Sequence, residues 1–339
     1  MNAEQQARRR WDSIAKPLHS LGLLEDLIVR IAGIRETPDV EIGRRCVLVF
    51  CGDHGVVRKG VSQSGSEVTA RVAESIANGT GNINLMASAV NAEVFAVDMG
   101  MLTGVPGTID RRIGSGTADI TEGPAMSRAQ AEKAVEAGIG MMQTLSDQGF
   151  QIAVIGEMGI GNTTAASAVT SVLLHRPPET VTGRGAGLSD AGLCRKLGAI
   201  HRAIEKNHPN PDDPMDVLAR LGGFELAGMA GAFLGGIKTR IPVIPDGMIP
   251  AASALIAARI DPAVTQVLLP GAVSREPADH LILEALGLNP VIHAETALGE
   301  GTGGIMLLPL LDLALKVYHS PHTFEALRME PYKPQEDLP

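Results

Sequence analysis

Three stretches of this sequence gather residues able to do chemistry. GEMGIGNTT, Gly156 to Thr164, sets Gly156, Gly159 and Gly161 ahead of a helix that opens near Asn162, exposing backbone N–H groups to an incoming anion. Its spacing is neither the Walker loop, which ends in GK[ST], nor the dinucleotide fingerprint GxGxxG, and a plain strand-to-helix turn explains it as well as a phosphate cradle does. TGRGAGLSD, Thr182 to Asp190, is a second glycine cluster before a helix that Ser189 or Asp190 can cap. Arg184 and Lys196 lie near enough in sequence to supply point charges there, or else to face solvent. LGEGTGG holds Glu300 between two glycines and behind Leu298. A carboxylate confined there has its pKa raised by burial and makes a general base, whereas in an open loop it is an ordinary solvated glutamate.

Other candidates read more blandly. His54 in CGDHG has no HExxH or paired-histidine spacing and no cysteine placed to complete a site, so it is expected to be a hydrogen-bonded structural histidine, with no metal bound. GGFELAGMAGAFLGG, Gly222 to Gly236, marks close helix packing through small residues. Asp246 and Glu295, acidic residues at strand ends, can cap helices or bind ribose hydroxyls.

The elements that must carry these residues are legible as an alternation. Short β-branched runs at Cys46–Phe50, Val94–Val97, Ile152–Ile155, Ile241–Ile244, Val267–Leu269 and Val291–Ile292 read as buried parallel strands. Helical stretches intervene at Glu67–Asn78, Ser127–Gln148, Thr163–Leu174, Ser189–Lys206, Ile249–Arg259 and Pro277–Leu286. This predicts an α/β fold with a doubly wound, mainly parallel, Rossmann-like sheet over residues 37–303. Helices at Ala3–Lys16 and Gly22–Ile34 (residues 1–36) and at Gly304–Tyr318 (within 304–339) break the alternation, and are expected to pair into a small helical lobe. In such a sheet the ligand sits beyond the carboxyl ends of the strands. There the sequence places CGDHG, DMG (Asp98 to Gly100), GEMGIGNTT, PDG (Pro245 to Gly247), PGAVS (Pro270 to Ser274) and HAETALGEGTGG (His293 to Gly304), several of which are expected to line one cleft.

Composition narrows the function. The 339 residues are 45% hydrophobic yet only 3% aromatic, which calls for a core of aliphatic side chains packed closely on a sheet. A formal net charge of -9 argues against a nucleic-acid surface. Three irregularly spaced cysteines suit reduced thiols in a cytoplasmic protein rather than a disulfide framework. The opening MNAEQQARRRWDSIAKPL has no apolar signal core, and Ile305–Leu315, the best membrane candidate, is far short of the ~20 apolar residues a span needs.

Taken in order, GEMGIGNTTAA, GRGAGLSD, GGFELAGMAGAFLGG and LGEGTGG resemble the nicotinate-nucleotide:dimethylbenzimidazole phosphoribosyltransferases, with CGDHGVVRKGVSQS similar to that family's first loop and PDGMIPAASALIAA to its turn and helix before the final third. The similarity covers nearly the whole chain. It implies transfer of ribose 5-phosphate from nicotinate mononucleotide to 5,6-dimethylbenzimidazole, giving α-ribazole 5′-phosphate and nicotinate during cobalamin assembly, by a cytoplasmic homodimer needing no metal or redox cofactor. The leaving nicotinate is a cationic pyridinium, which removes the need for magnesium-pyrophosphate activation.

By the same resemblance Glu300 is the general base and Glu157 the second active-site glutamate, on the ribose or nucleophile-orienting side. The phosphate is expected against the amides of Gly159, Ile160, Gly161 and Asn162, with Thr163, Lys196, Ser274 and the Gly183–Gly187 turn, Gly185 included, as further contacts. Ser64, Val72 and Leu298 are expected at the base. Val72 stands where some members have glutamine, which leaves the choice among benzimidazole and purine bases open. Three rivals are an NAD-dependent oxidoreductase, disfavoured because CGDHG is not GxGxxG, a transferase using a pyrophosphorylated ribose with magnesium, and an inert nucleotide- or corrinoid-binding protein, against which the retention of both glutamates counts.

Overall fold

The strand Arg45–Gly52 (β1), RCVLVFCG, is buried at every residue, because helices cover the sheet on both faces. Cys46, Leu48 and Phe50 point into one hydrophobic cluster. Val47, Val49 and Cys51 point into the other. The computed structural model describes residues 1–333.

Along the chain, helices Ala3–Ser13 (α1) and Leu23–Arg35 (α2) precede β1, and Glu67–Ala77 (α3) and Asn82–Ala89 (α4) follow it. Strands Ala92–Gly100 (β2) and Ile109–Asp110 (β3) lead to Arg128–Asp147 (α5) and then Ile152–Met158 (β4). Next come Asn162–Leu173 (α6), Pro178–Val181 (α7), Asp190–Asn207 (α8), Pro214–Leu221 (α9) and Phe224–Thr239 (α10). Val243–Pro245 (β5), Met248–Ile260 (α11), Val264–Val267 (α12), Ala272–Ser274 (β6), Pro277–Ala285 (α13), Ile292–Thr296 (β7) and Leu307–Tyr318 (α14) complete the order.

The main sheet runs β3-β2-β1-β4-β5, and every pairing in it is parallel. From β1 the chain builds outward through β2 and β3 on one side, then returns to build through β4 and β5 on the other. The reversal falls between β1 and β4, the topological switch point at which an open α/β sheet binds its ligand. The expected doubly wound α/β fold is therefore what forms.

One face carries α5 and α10, whose axes approach closely because Gly138 lies against the Gly228 and Ala232 backbone and leaves no room for a Cβ. The small-residue stretch GGFELAGMAGAFLGG is thus a packing surface. The other face carries the helices α1, α2 and α14: Trp11 and Tyr318 pack with their rings tilted by 60° and centroids 5.0 Å apart, an aromatic contact worth about 0.5–1.5 kcal/mol beyond burial. The Tyr318 hydroxyl donates to Pro38 O at 2.7 Å, and Arg45 holds Asp312 through two hydrogen bonds of 2.9 and 2.8 Å. Their apolar residues share one cluster with Val47 and Val49 of β1.

Local signals behave as their chemistry requires. Ser127 and Gln130 form a reciprocal capping box at α5, and Ser189, rather than Asp190, caps α8 by accepting from Gly192 N. The apolar run at Val267–Leu269 departs from expectation: Val267 ends the short helix α12, and Leu268 makes only an isolated bridge to Val243. A second, two-stranded sheet forms instead from β6 and β7. The cysteines are all free, Cys46 and Cys51 buried and Cys194 exposed. Among the described residues no helix is long and apolar enough to cross a membrane.

Candidate active site

A cleft of about 300 Å³ opens at the carboxyl ends of β4 and β5. Glu157 enters it from the carboxyl end of β4, buried, with the Asn162 side-chain amide donating to its Oε2. Burial pushes the Glu157 carboxyl up to about 8, against the Asn162 bond and with help from the charges of Asp246, Glu225 and Glu300. It is consequently mostly protonated at neutral pH.

Glu300 arrives on the loop after β7. Gly299, Glu300 and Gly301 all have positive φ, of 83°, 63° and 95°. The left-handed geometry at Glu300, the one residue of the three with a side chain, costs about 1–2 kcal/mol. Asp246 holds it there: its carboxylate accepts the amides of Gly301 at 2.6 Å, Gly303 at 2.8 Å and Gly304 at 3.0 Å. Charge-assisted bonds of this kind contribute about 1.5–3 kcal/mol each, more in total than the strain. The Glu300 amide also donates to Glu157 O at 3.2 Å. Gly156 of β4 permits this approach, since a Cβ there would collide with the backbone of Glu300 and Gly301.

The result is a buried Glu300 carboxylate whose Oε2 has no hydrogen-bond partner. Burial raises its pKa, the Ile83 amide at the start of α4 opposing and the Asp246 charge assisting. A carboxylate so placed is a better proton acceptor than a solvated one.

Across the cleft, the β4–α6 loop and the Gly183–Gly187 turn form the second wall. Gly161 adopts φ 96° as the residue before α6. The Ile160 amide donates to Thr69 Oγ1 at 3.1 Å and the Asn162 amide to Gly159 O at 3.1 Å, so the loop is already braced. Lys196 has no exposed surface and donates to Thr163 Oγ1 at 2.9 Å and Gly183 O at 3.1 Å. Burial lowers its pKa to about 8, with Glu276 opposing that shift.

The family model described as phosphoribosyltransferase, DBI_PRT, matches residues 1–327. The chain is 41% identical over 330 residues to the nicotinate-nucleotide–dimethylbenzimidazole phosphoribosyltransferase of Acetivibrio thermocellus, covering 97% of this chain and 94% of that one. It is 44% identical over 321 residues to the enzyme of the same name from Roseiflexus sp. (strain RS-1), covering 94% and 91%. The crystal structure of CobT from Thermus thermophilus aligns with a TM-score of 0.91 at 40% identity, over 97% of this chain and 99% of that one. The chain belongs to the nicotinate-nucleotide–dimethylbenzimidazole phosphoribosyltransferase family.

Within this phosphoribosyltransferase, Ser64, Val72, Glu157, Gly159, Ile160, Asn162, Thr163, Gly185, Ser274, Leu298 and Glu300 all line the one cleft. Gly161 lines a small adjoining pocket that also takes in Arg184. Gly183 and Lys196 stand behind the wall rather than on it, the lysine reaching the cleft through Thr163. Of the six strand-end loops, four line the cleft, whereas CGDHG and DMG do not. His54 is buried beneath them, hydrogen-bonded through Nε2 to Glu225 Oε1 at 2.5 Å, and burial, which disfavours its charge, is outweighed by that carboxylate, so its pKa is raised. Glu295 is exposed, outside the cleft.

Asp246, which as an acidic residue at a strand end was expected to cap a helix or bind ribose hydroxyls, is the loop's anchor. Glu276 and Asp279 went unnoticed. Glu276 lines the cleft, and Asp279, its carboxyl pushed up to about 6 by burial, accepts Ser274 N at 2.6 Å. A glutamate directly before a proline at a helix start, two residues past a strand end, was the available signal.

Proposed function

We propose that this phosphoribosyltransferase moves ribose 5-phosphate from nicotinate mononucleotide to 5,6-dimethylbenzimidazole, yielding α-ribazole 5′-phosphate and nicotinate for cobalamin assembly. The observation that carries the reading is the buried Glu300 carboxylate with a free oxygen, anchored by Asp246, facing a glycine-lined anion wall across one cleft.

In this reading the phosphate lies against Gly159 to Asn162, Thr163, Ser274 and the Gly183–Gly187 turn, with Lys196 supplying positive charge from behind. Ser64, Val72 and Leu298 bound the benzimidazole. Glu300 takes the benzimidazole N–H proton, and a ring nitrogen forms its bond to the anomeric carbon. The bond from that carbon to the pyridinium nitrogen breaks on the opposite side, and its electron pair leaves with nicotinate as the neutral pyridine. Direct displacement inverts a β-glycoside into an α-glycoside. Glu157, largely neutral and oriented by Asn162, contacts the ribose or the attacking base.

We place this chemistry in a cytoplasmic homodimer acting on two small molecules and no nucleic acid, consistent with the net charge of -9. The assay is chromatography of products from nicotinate mononucleotide and dimethylbenzimidazole in EDTA, beside Glu300→Ala and a control with pyrophosphorylated ribose. Equal amounts of nicotinate and α-ribazole phosphate, lost in the variant, are expected. Turnover only with pyrophosphorylated ribose and magnesium, or none at all, overturns the proposal.

A further inference from the structure

Glu276 stands in the turn between β6 and α13, and its Oε1 accepts the Gly185 amide at 3.0 Å. Its Oε2 is buried without a hydrogen-bond partner and lies against Gly183. Lys196, fully buried behind the same turn, bonds only neutral oxygens, those of Thr163 and Gly183. Glu276 is the carboxylate whose charge reaches it, favouring the ammonium form. Glu276, Gly185, Thr163 and Ser274 line one stretch of the cleft. A side chain of the protein therefore already occupies an anion position on the glycine turn.

Resting on the phosphate placement proposed above, we infer that Glu276 is a resident anion of the phosphate subsite, which the substrate phosphate must displace from the Gly185 amide. Without a phosphate, a buried lysine and a glycine turn facing an empty cleft would lack a counter-charge. The Glu276 carboxylate supplies one and holds the turn in its binding geometry. Once the phosphate arrives, a single amide proton cannot serve both anions, and two negative charges a few ångströms apart repel. Glu276 sits in a connecting turn, so its side chain can swing away without disturbing the sheet. The exchange makes Glu276 a specificity-determining residue. A phosphate ester can replace it, and a nucleoside lacking the phosphate cannot.

The test is calorimetric titration of the full chain and of Glu276→Gln with inorganic phosphate, nicotinate mononucleotide and nicotinate riboside. Glutamine keeps an oxygen for Gly185 and removes the charge. Phosphate and mononucleotide are expected to bind about tenfold more tightly to Glu276→Gln, with the riboside unchanged. Glu276→Asp, which keeps the charge but is too short to hold Gly185 in the same way, is expected to fall between, and its melting curve reports whether the turn still folds. Unchanged or weaker phosphate binding in Glu276→Gln overturns the inference. If phosphate binding tightens while wild type fails to turn over the mononucleotide, the inference stands and the proposed reaction falls. Turnover alongside unchanged phosphate affinity sinks the inference alone.

Discussion

The two walls of the cleft solve opposite electrostatic problems. On the β4–α6 side, a braced glycine-rich loop and turn face the ligand, with the one buried lysine behind them and Glu276 the carboxylate set against the turn. On the β7 side, Glu157, Asp246 and Glu300 crowd together, and burial raises the pKa of each. The first wall suits a group that arrives charged and stays charged. The second suits a group that must change protonation during the reaction. The contrast shows how one sheet end handles both tasks: amides need only a turn in the right conformation, whereas a tunable carboxylate needs burial, a second charge and an anchored backbone.

The sharpest way to break the comparison is to remove the proton acceptor. Glu300→Gln is expected to lower kcat by about 10²–10⁴-fold with little change in mononucleotide binding, read by steady-state kinetics; a loss confined to KM would make Glu300 a binding residue instead. Next, Asp246→Asn frees the loop. Misplacing a catalytic group by about 1 Å costs on the order of 10²-fold in rate, so kcat should fall about that far while Glu300 remains present, and retained activity would show that the loop holds itself.

On the opposite wall, Lys196→Met should raise KM for the mononucleotide by about 10–100-fold, the range of a lost charge-assisted bond, and leave the KM of dimethylbenzimidazole unchanged. The two walls should also separate with pH. As pH rises through about 8, Lys196 loses its proton, and kcat/KM for the mononucleotide falls. As pH drops through the raised Glu300 pKa, the base is protonated and kcat falls. A pH-independent kcat on the acid side would contradict the base assignment.

The smallest expected effect is on stability. Glu157 is protonated in the folded chain up to about 8 but ionises near 4.5 when unfolded, so the burden of burying it is absent below 4.5 and grows as pH rises towards 8. Glu157→Gln should therefore raise Tm by about 2 °C at pH 8 and not at pH 4, a shift of the size produced by roughly 1 kcal/mol. An equal shift at both pH values would point to packing rather than charge.

Much of this was readable along the chain. The β-branched runs at Cys46–Phe50 and Ile152–Ile155 became fully buried central strands because an uninterrupted apolar run suits a sheet covered on both faces. Val267–Leu269 misled because a three-residue apolar run fits a buried helix end as well as a strand. The glycine loops were visible as loops, and the resemblance of four motifs pointed to a family that holds over residues 1–327.

Sequence alone thus determined the alternation of strands and helices, the glycine-rich turns and the family, since each depends on neighbours a few residues apart. Tertiary structure decided the environment of every charge. Asp246 anchors amides 55 to 58 residues away, Glu276 meets a glycine 91 residues away, and His54 pairs with a glutamate 171 residues away. Whether a carboxylate is a base, an anchor or a resident anion depends on desolvation and on partners brought by the sheet, and neither is encoded in spacing along the chain.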